Sequence, residues 1–231
     1  MSAEQPTGQP PQPPAPTPSA RLIATLGGIA LVAGVLVVSV VEWTRPMIEA
    51  NRAQALQEAV LAVVPDAVES RAFVLTDTGL VPAEQAQADG PLVHAGYDAQ
   101  GRFTGAALEA SGRGYADVIR FLYGYDPECQ CILGISVLQS QETPGLGDRI
   151  ETDPDFQASF EGLDASLNEQ GTGLAHPIRA VEPGESDAPG EIDAITGATV
   201  SSEAVVDALH DSADDLLPRL APHWSSLERS E

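Results

Sequence analysis

From Leu22 to Val41 every residue is apolar, Gly, Thr or Ser, and no charge interrupts the run. Twenty helical residues at about 1.5 Å rise cover the hydrocarbon core of a bilayer, about 30 Å thick. The run therefore sets a membrane-spanning helix over residues 21–43, with Arg21 at one rim and Trp43 and Arg45 at the other. A cleaved signal peptide is the competing reading, but the run is long for one and no small-x-small site comes after it. Residues 1–20, rich in Pro, Gln, Ser and Ala and without aromatics, cannot bury enough apolar surface to offset chain entropy, so a disordered tail is expected. Charge leaves the orientation open, since Arg21 precedes the span while Arg45 and Arg52 come after it.

The chain beyond the span is long enough for one mid-sized domain with its own core. Its surface must be acidic, because the whole chain carries 34 Asp and Glu against 11 basic residues, all Arg, for a net charge of −23, and nearly all of them lie beyond the span. Such a surface repels phosphodiester backbones, so nucleic-acid binding is excluded as a function class. Cys129 and Cys131 supply too few ligands for a cluster or a structural zinc site. Two residues apart on a strand they lie near the outer limit of disulfide geometry, so two free thiols are favoured over a strained bond. The four histidines are scattered, with no pairing that suggests a metal site. No Gly-x-Ser-x-Gly elbow, Gly-x-Gly-x-x-Gly or P-loop is present, which disfavours a hydrolase or a site for a mobile nucleotide.

Taken in order, Met47–Val64 places apolar residues at helical spacing, and Pro65 ends a juxtamembrane helix assigned to residues 44–65. Arg71–Leu75, Pro91–Tyr97 and Gly101–Glu109 are short, turn-bounded strand candidates. Val118–Tyr125 and Cys131–Gln139 flank the turn Asp126-Pro127-Glu128 and form an antiparallel pair. The second of these strands leads into Glu142-Thr143-Pro144-Gly145-Leu146-Gly147-Asp148, a rigid close-approach loop suited to lying along a planar ring, or a plain connection. Asp153–Leu163 suits a short helix and Pro177–Val181 a strand, ahead of an acidic Pro- and Gly-rich stretch, Glu182–Gly190. Asp193-Ala194-Ile195-Thr196-Gly197-Ala198-Thr199 then reads as an extended run, a tight turn and the start of a final helix through Ser201 to His210. Two local readings of Thr199 stand side by side. It is an ordinary N-cap, or it presents a hydroxyl where a helix N-terminus can seat a phosphate.

These motifs carry a resemblance. Asp193 to Thr199 resembles the flavinylation motif Asp-x-x-(Ser/Thr)-Gly-Ala-Thr of the FMN-binding domain family, and Glu142 to Gly147 is similar to that family's Glu-Thr-Pro-Gly-Leu-Gly loop. Two such motifs, in order and about fifty residues apart, are more specific than either alone. The family's Gly-Tyr-x-Gly stands here as Gly114-Tyr115-Ala116-Asp117, with Asp in place of the second Gly. Membrane-bound members include the G subunit of the Rnf electron-transport complex and the C subunit of the sodium-pumping NADH:quinone reductase, and Asp148 after the loop is similar to the Rnf type.

The resemblance implies an α+β fold: one transmembrane helix, then an FMN-binding domain over residues 66–215 with a mostly antiparallel sheet and packed helices, then a C-terminal tail, 216–231. It implies FMN joined to Thr199 by a phosphoester, installed from FAD by a magnesium-dependent flavin transferase. Thr196, Gly197, Ala198, Glu142, Thr143, Pro144, Gly145 and Leu146 would surround it. The protein would relay electrons within a complex that couples ferredoxin and NAD chemistry to movement of Na⁺ or H⁺, with little activity in isolation. Its partners would be the other subunits, the transferase and membrane lipid, and its place the bacterial inner membrane with the domain periplasmic. The alternative function is a membrane-anchored sensor or assembly module. A longer membrane region or a second domain would favour that alternative, so the relay is the expectation.

Overall fold

The computed structural model describes residues 19–86 and 90–228; the expected tail lies outside these except for Ser19 and Ala20. The first helix, α1, runs from Ser19 to Val63 without a break, with Pro46 inside it, where two helices were expected. Its apolar run is long and apolar enough to cross a membrane. The polar side chains in or beside the run are self-contained: Thr25 donates to Arg21 O at 2.9 Å, Ser39 to Val35 O at 2.7 Å and Thr44 to Val40 O at 2.9 Å. Back-bonding of this kind leaves no hydroxyl seeking water inside hydrocarbon.

The chain divides near Asn51 into the apolar unit and a compact unit from Arg52 onward. The second unit is built on a seven-stranded antiparallel sheet: β1 (Glu69–Thr76), β2 (Gly79–Pro82), β3 (Leu92–Tyr97), β4 (Phe103–Arg113), β5 (Val118–Asp126), β6 (Cys131–Gln139) and β7 (Leu163–Asp164), in the order β2-β1-β3-β4-β5-β6-β7. Side chains alternate between its faces. Leu108, Ala110, Phe121, Tyr123 and Tyr125 point to a core shared with the long helix α4 (Thr199–Leu220). Ala107 and Leu122 point the other way, onto Ala59, Val60, Val63 and Val64 at the end of α1. With both faces covered, the central strands contribute fully buried rings such as Phe121 and Tyr123, each worth about 1.5–3 kcal/mol against exposure. Between β6 and α4 lie the short helices α2 (Arg149–Thr152) and α3 (Pro154–Ala158) and a parallel pair, β8 (Arg179–Val181) with β9 (Glu191–Asp193).

Two expectations are corrected here. The cysteines are joined: Gln130 between them has φ 55°, which bends the chain out of the flat strand and brings the Cys129 and Cys131 Cα atoms to 5.2 Å, within disulfide reach. The segment expected as a tail from 216 instead begins inside α4. Ala213, Leu216, Leu217 and Leu220 continue the buried stripe of α4 through Pro218. A 3₁₀ turn, Ala221–His223, then delivers α5 (Trp224–Leu227) back to the sheet. There Trp224 packs 5.8 Å from the Tyr125 ring and 6.2 Å from Phe103, and the Tyr97 hydroxyl donates to Leu227 O at 3.2 Å.

Candidate functional site

Three segments far apart in sequence meet at one cleft: the β4–β5 turn at Gly114–Asp117, the loop after β6, and the first turn of α4. The cleft encloses about 380 Å³ and is lined by Tyr115, Glu142, Thr143, Leu146, Gly147, Gly197, Ala198, Thr199, Val200 and Ser201. That volume lies within the range of about 300–1,000 Å³ typical of small-molecule sites. Its rim is apolar and exposed, with Tyr115 at 76%, Leu146 at 53% and Val200 at 50%.

The start of α4 explains what the cleft offers. Gly197 takes φ 84°, a left-handed turn that a side chain disfavours, and Ala198 occupies the N-cap position without a side-chain bond. Of the two readings of Thr199, the capping one is not met: Ala198 holds the cap position, and Thr199 is the first helical residue with its side chain exposed. The first backbone bond of the helix is Ser202 N–H to Ala198 O at 2.9 Å. Among the described residues nothing accepts from the N–H groups of Thr199, Val200 and Ser201, so the positive end of a 22-residue helix opens onto the cleft.

Neighbouring hydroxyls are already engaged. Ser202 is fully buried, accepts from Ile195 N–H at 3.1 Å and donates to Ala198 O at 3.0 Å. Ser201 is buried and donates to Glu142 Oε2 at 2.7 Å. Thr196 lies across the Gly197 turn and lines a second cleft, of about 390 Å³, on the far side of Thr199. Its carbonyl accepts from Arg149 at 3.0 Å.

Glu142 ties the three segments together. Its Oε1 accepts from Ala116 N–H at 2.9 Å while Oε2 takes the Ser201 hydroxyl. Gly114 and Gly147 leave the space it fills, because a Cβ on either would collide with its carboxylate. Burial pushes the Glu142 carboxyl up, but the Ser201 hydroxyl and the N–H groups of Ala116, Asp117 and Tyr115 outweigh it and hold the group below its ordinary value. Asp117 is half-buried at the turn without a positive φ, and its carbonyl accepts from Gly114 N–H at 2.9 Å. The Gly-to-Asp departure thus falls where the backbone does not require glycine.

Of the residues expected here, Thr199, Gly197, Ala198, Glu142, Thr143 and Leu146 line the cleft, whereas Pro144 and Gly145 are exposed and do not line it, and Thr196 lines the neighbouring cleft. The loop is closed by Gly145 N–H on Asp148 Oδ1 at 2.7 Å and Leu146 N–H on Thr143 O at 3.1 Å. Sequence reasoning missed Ser201, Val200 and Arg149. Ser201 was readable only as part of a Ser-Ser pair, and nothing in the local pattern marks its carboxylate partner.

Residues 114–214 match the FMN-binding domain family. The G subunit of the ion-translocating oxidoreductase complex of Methanosarcina acetivorans is 32% identical over 200 residues, covering 84% of this chain and 92% of that protein. The protein of the same name from Cereibacter sphaeroides is 30% identical over 185 residues, 80% of this chain and 78% of that one. The crystal structure of Shewanella oneidensis NqrC superposes with a TM-score of 0.57 at 18% identity, over 78% of this chain and all of that one. The C subunit of the Na⁺-translocating NADH-quinone reductase of Parabacteroides distasonis gives 0.51 at 21% identity, over 71% and 79%.

Proposed function

Because the chain belongs to the family of G subunits of the ion-translocating oxidoreductase complex, we propose that it is a membrane-anchored electron relay whose Thr199 carries FMN through a phosphoester. One observation carries the assignment. Thr199 is the exposed hydroxyl at the N-terminus of α4, while Ser201 and Ser202 beside it are buried and bonded. The cleft fits the group: three free N–H groups and the helix dipole suit a phosphate, and Tyr115, Leu146 and Val200 offer apolar walls to a planar ring.

FMN supplies the chemistry, taking up and giving away electrons. The chain's own residues hold and place it. The first turn of α4 neutralises phosphate charge, Gly197 lets the attached group approach the backbone, and Leu146 and Val200 keep water from the cleft wall. A flavin transferase would install the group from FAD, and the relay would work among the other subunits of an Rnf-type complex coupling ferredoxin and NAD chemistry to Na⁺ or H⁺ movement.

The domain is proposed to face the periplasm. The Cys129–Cys131 disulfide supports this, since such bonds persist in oxidising compartments. Reporter fusions at the C-terminus test the orientation, and a cytoplasmic signal would overturn it. For the attachment, peptide mass mapping of protein co-expressed with the transferase should find FMN on Thr199 in wild type and none after Thr199→Val. Because Thr199 does not cap the helix, that variant should fold with a change within about 0.5 kcal/mol, as for an exposed side chain. FMN on Thr196 or Ser201 in wild type, or any on Thr199→Val, would refute the assignment.

A further inference from the structure

Glu142 is 7% exposed; the comparably enclosed carboxylates of Asp98 and Glu191 are each paired with an Arg. Among the described residues no Arg or His forms an ion pair with Glu142; its bonds come from neutral donors, Ser201 Oγ and Ala116 N–H, and Gly114 and Gly147 leave it room. A carboxylate neutralised by a cation has a short-ranged field. One held by dipoles alone keeps its full charge, and partial burial weakens the screening of it. Glu142 also lines the same cleft as Thr199.

We propose that Glu142 is a positioning residue that also sets the electrochemistry of the site, its uncompensated negative charge holding the bound flavin at a lower reduction potential than the cleft would otherwise give. The proposal rests on the cleft taking the flavin attached at Thr199. Electrons arriving on the flavin meet a fixed charge of the same sign, and Ser201 and the N-terminus of α4 offset it only in part. Both carboxylate oxygens already serve the protein, so Glu142 acts through its field and through its hold on the Gly114–Asp117 turn and Ser201.

The test is spectroelectrochemical titration at pH 8 of the full-length protein in detergent, flavinylated by co-expression with the transferase. Glu142→Gln keeps size and bonding capacity without the charge and should shift the midpoint potential upward, and Glu142→Asp, which keeps the charge, should restore it towards wild type. Ser201→Ala removes a compensating dipole and leaves the charge, so it should shift the potential downward. That second variant keeps the proposal open to refutation should Glu142→Gln fail to accumulate. An unchanged potential in flavinylated Glu142→Gln, or an unchanged or raised one in Ser201→Ala, overturns it. Wild type that carries no flavin would instead refute the reading of the cleft, a separate failure seen before any titration.

Discussion

Ser201→Ala offers a quantitative check on the geometry, independent of flavin. The substitution deletes the donor 2.7 Å from Glu142 Oε2 in a buried setting. A hydrogen bond to a charged group contributes about 1.5–3 kcal/mol, and the better helix propensity of Ala returns about 0.5 kcal/mol. The net loss is then about 1–2.5 kcal/mol. For a unit running from Arg52 to Glu231 this lowers the melting temperature by about 2–10 °C. The loss should also carry a pH signature. The folded-state value of Glu142 lies below its ordinary 4.5, so the stabilisation is complete above about pH 4.5 and disappears as pH falls through the folded value. Without Ser201 the folded-state value moves up, so the gap between variant and wild type should be widest at pH 7 and close in acid. Urea unfolding of the apo protein, followed by Trp224 fluorescence across that range, measures both. A gap that stays constant with pH would show that the loss is packing and that the Ser201–Glu142 bond is not what joins the cleft.

Two further variants probe the frame around the site. Trp224→Ala removes a half-buried ring packed on Phe103 and Tyr125 and should cost about 2–3 kcal/mol, below the figure of about 3–5 for a fully buried one; the urea midpoint followed by circular dichroism reads it, and an unchanged midpoint would mean that the C-terminal segment does not dock. Changing both Cys129 and Cys131 to Ser should leave flavin content unaltered, because the nine residues of β6, at about 3.3 Å each, separate that turn from the Glu142 loop; loss of flavin at normal expression would contradict this.

The middle of the fold was legible in the sequence because its signals there are local. Val118–Tyr125, a Pro-containing turn and Cys131–Gln139 foretell β5 and β6 almost to the residue. The first three strand candidates correspond to β1, β3 and β4, while β2, four residues with weak alternation, went unread. The two site motifs were visible as words, and the structure brings them to one cleft. The link that joins them was not visible: the pairing of Glu142 with Ser201 spans 59 residues and depends on how α4 crosses the sheet. The capping alternative for Thr199 rested on how common Thr is at that position, but the Gly197 turn puts Ala198 there instead. Residues 216–231 read as a tail because of Pro218 and Pro222, whose breaking signal hid the buried Leu216, Leu217, Leu220 and Leu227.

The chain order of the cleft's walls has a consequence for synthesis. Tyr115 is made first, the Glu142 loop next and the Gly197–Ser201 turn last, and α4, which anchors that turn, is complete only at Leu220. A nascent chain therefore carries two walls of the pocket, and the Glu142 charge without its serine, until α4 has left the ribosome. Attachment of the proposed flavin would wait for that last long element, and any C-terminal truncation that removes α4 leaves the pocket open on one side.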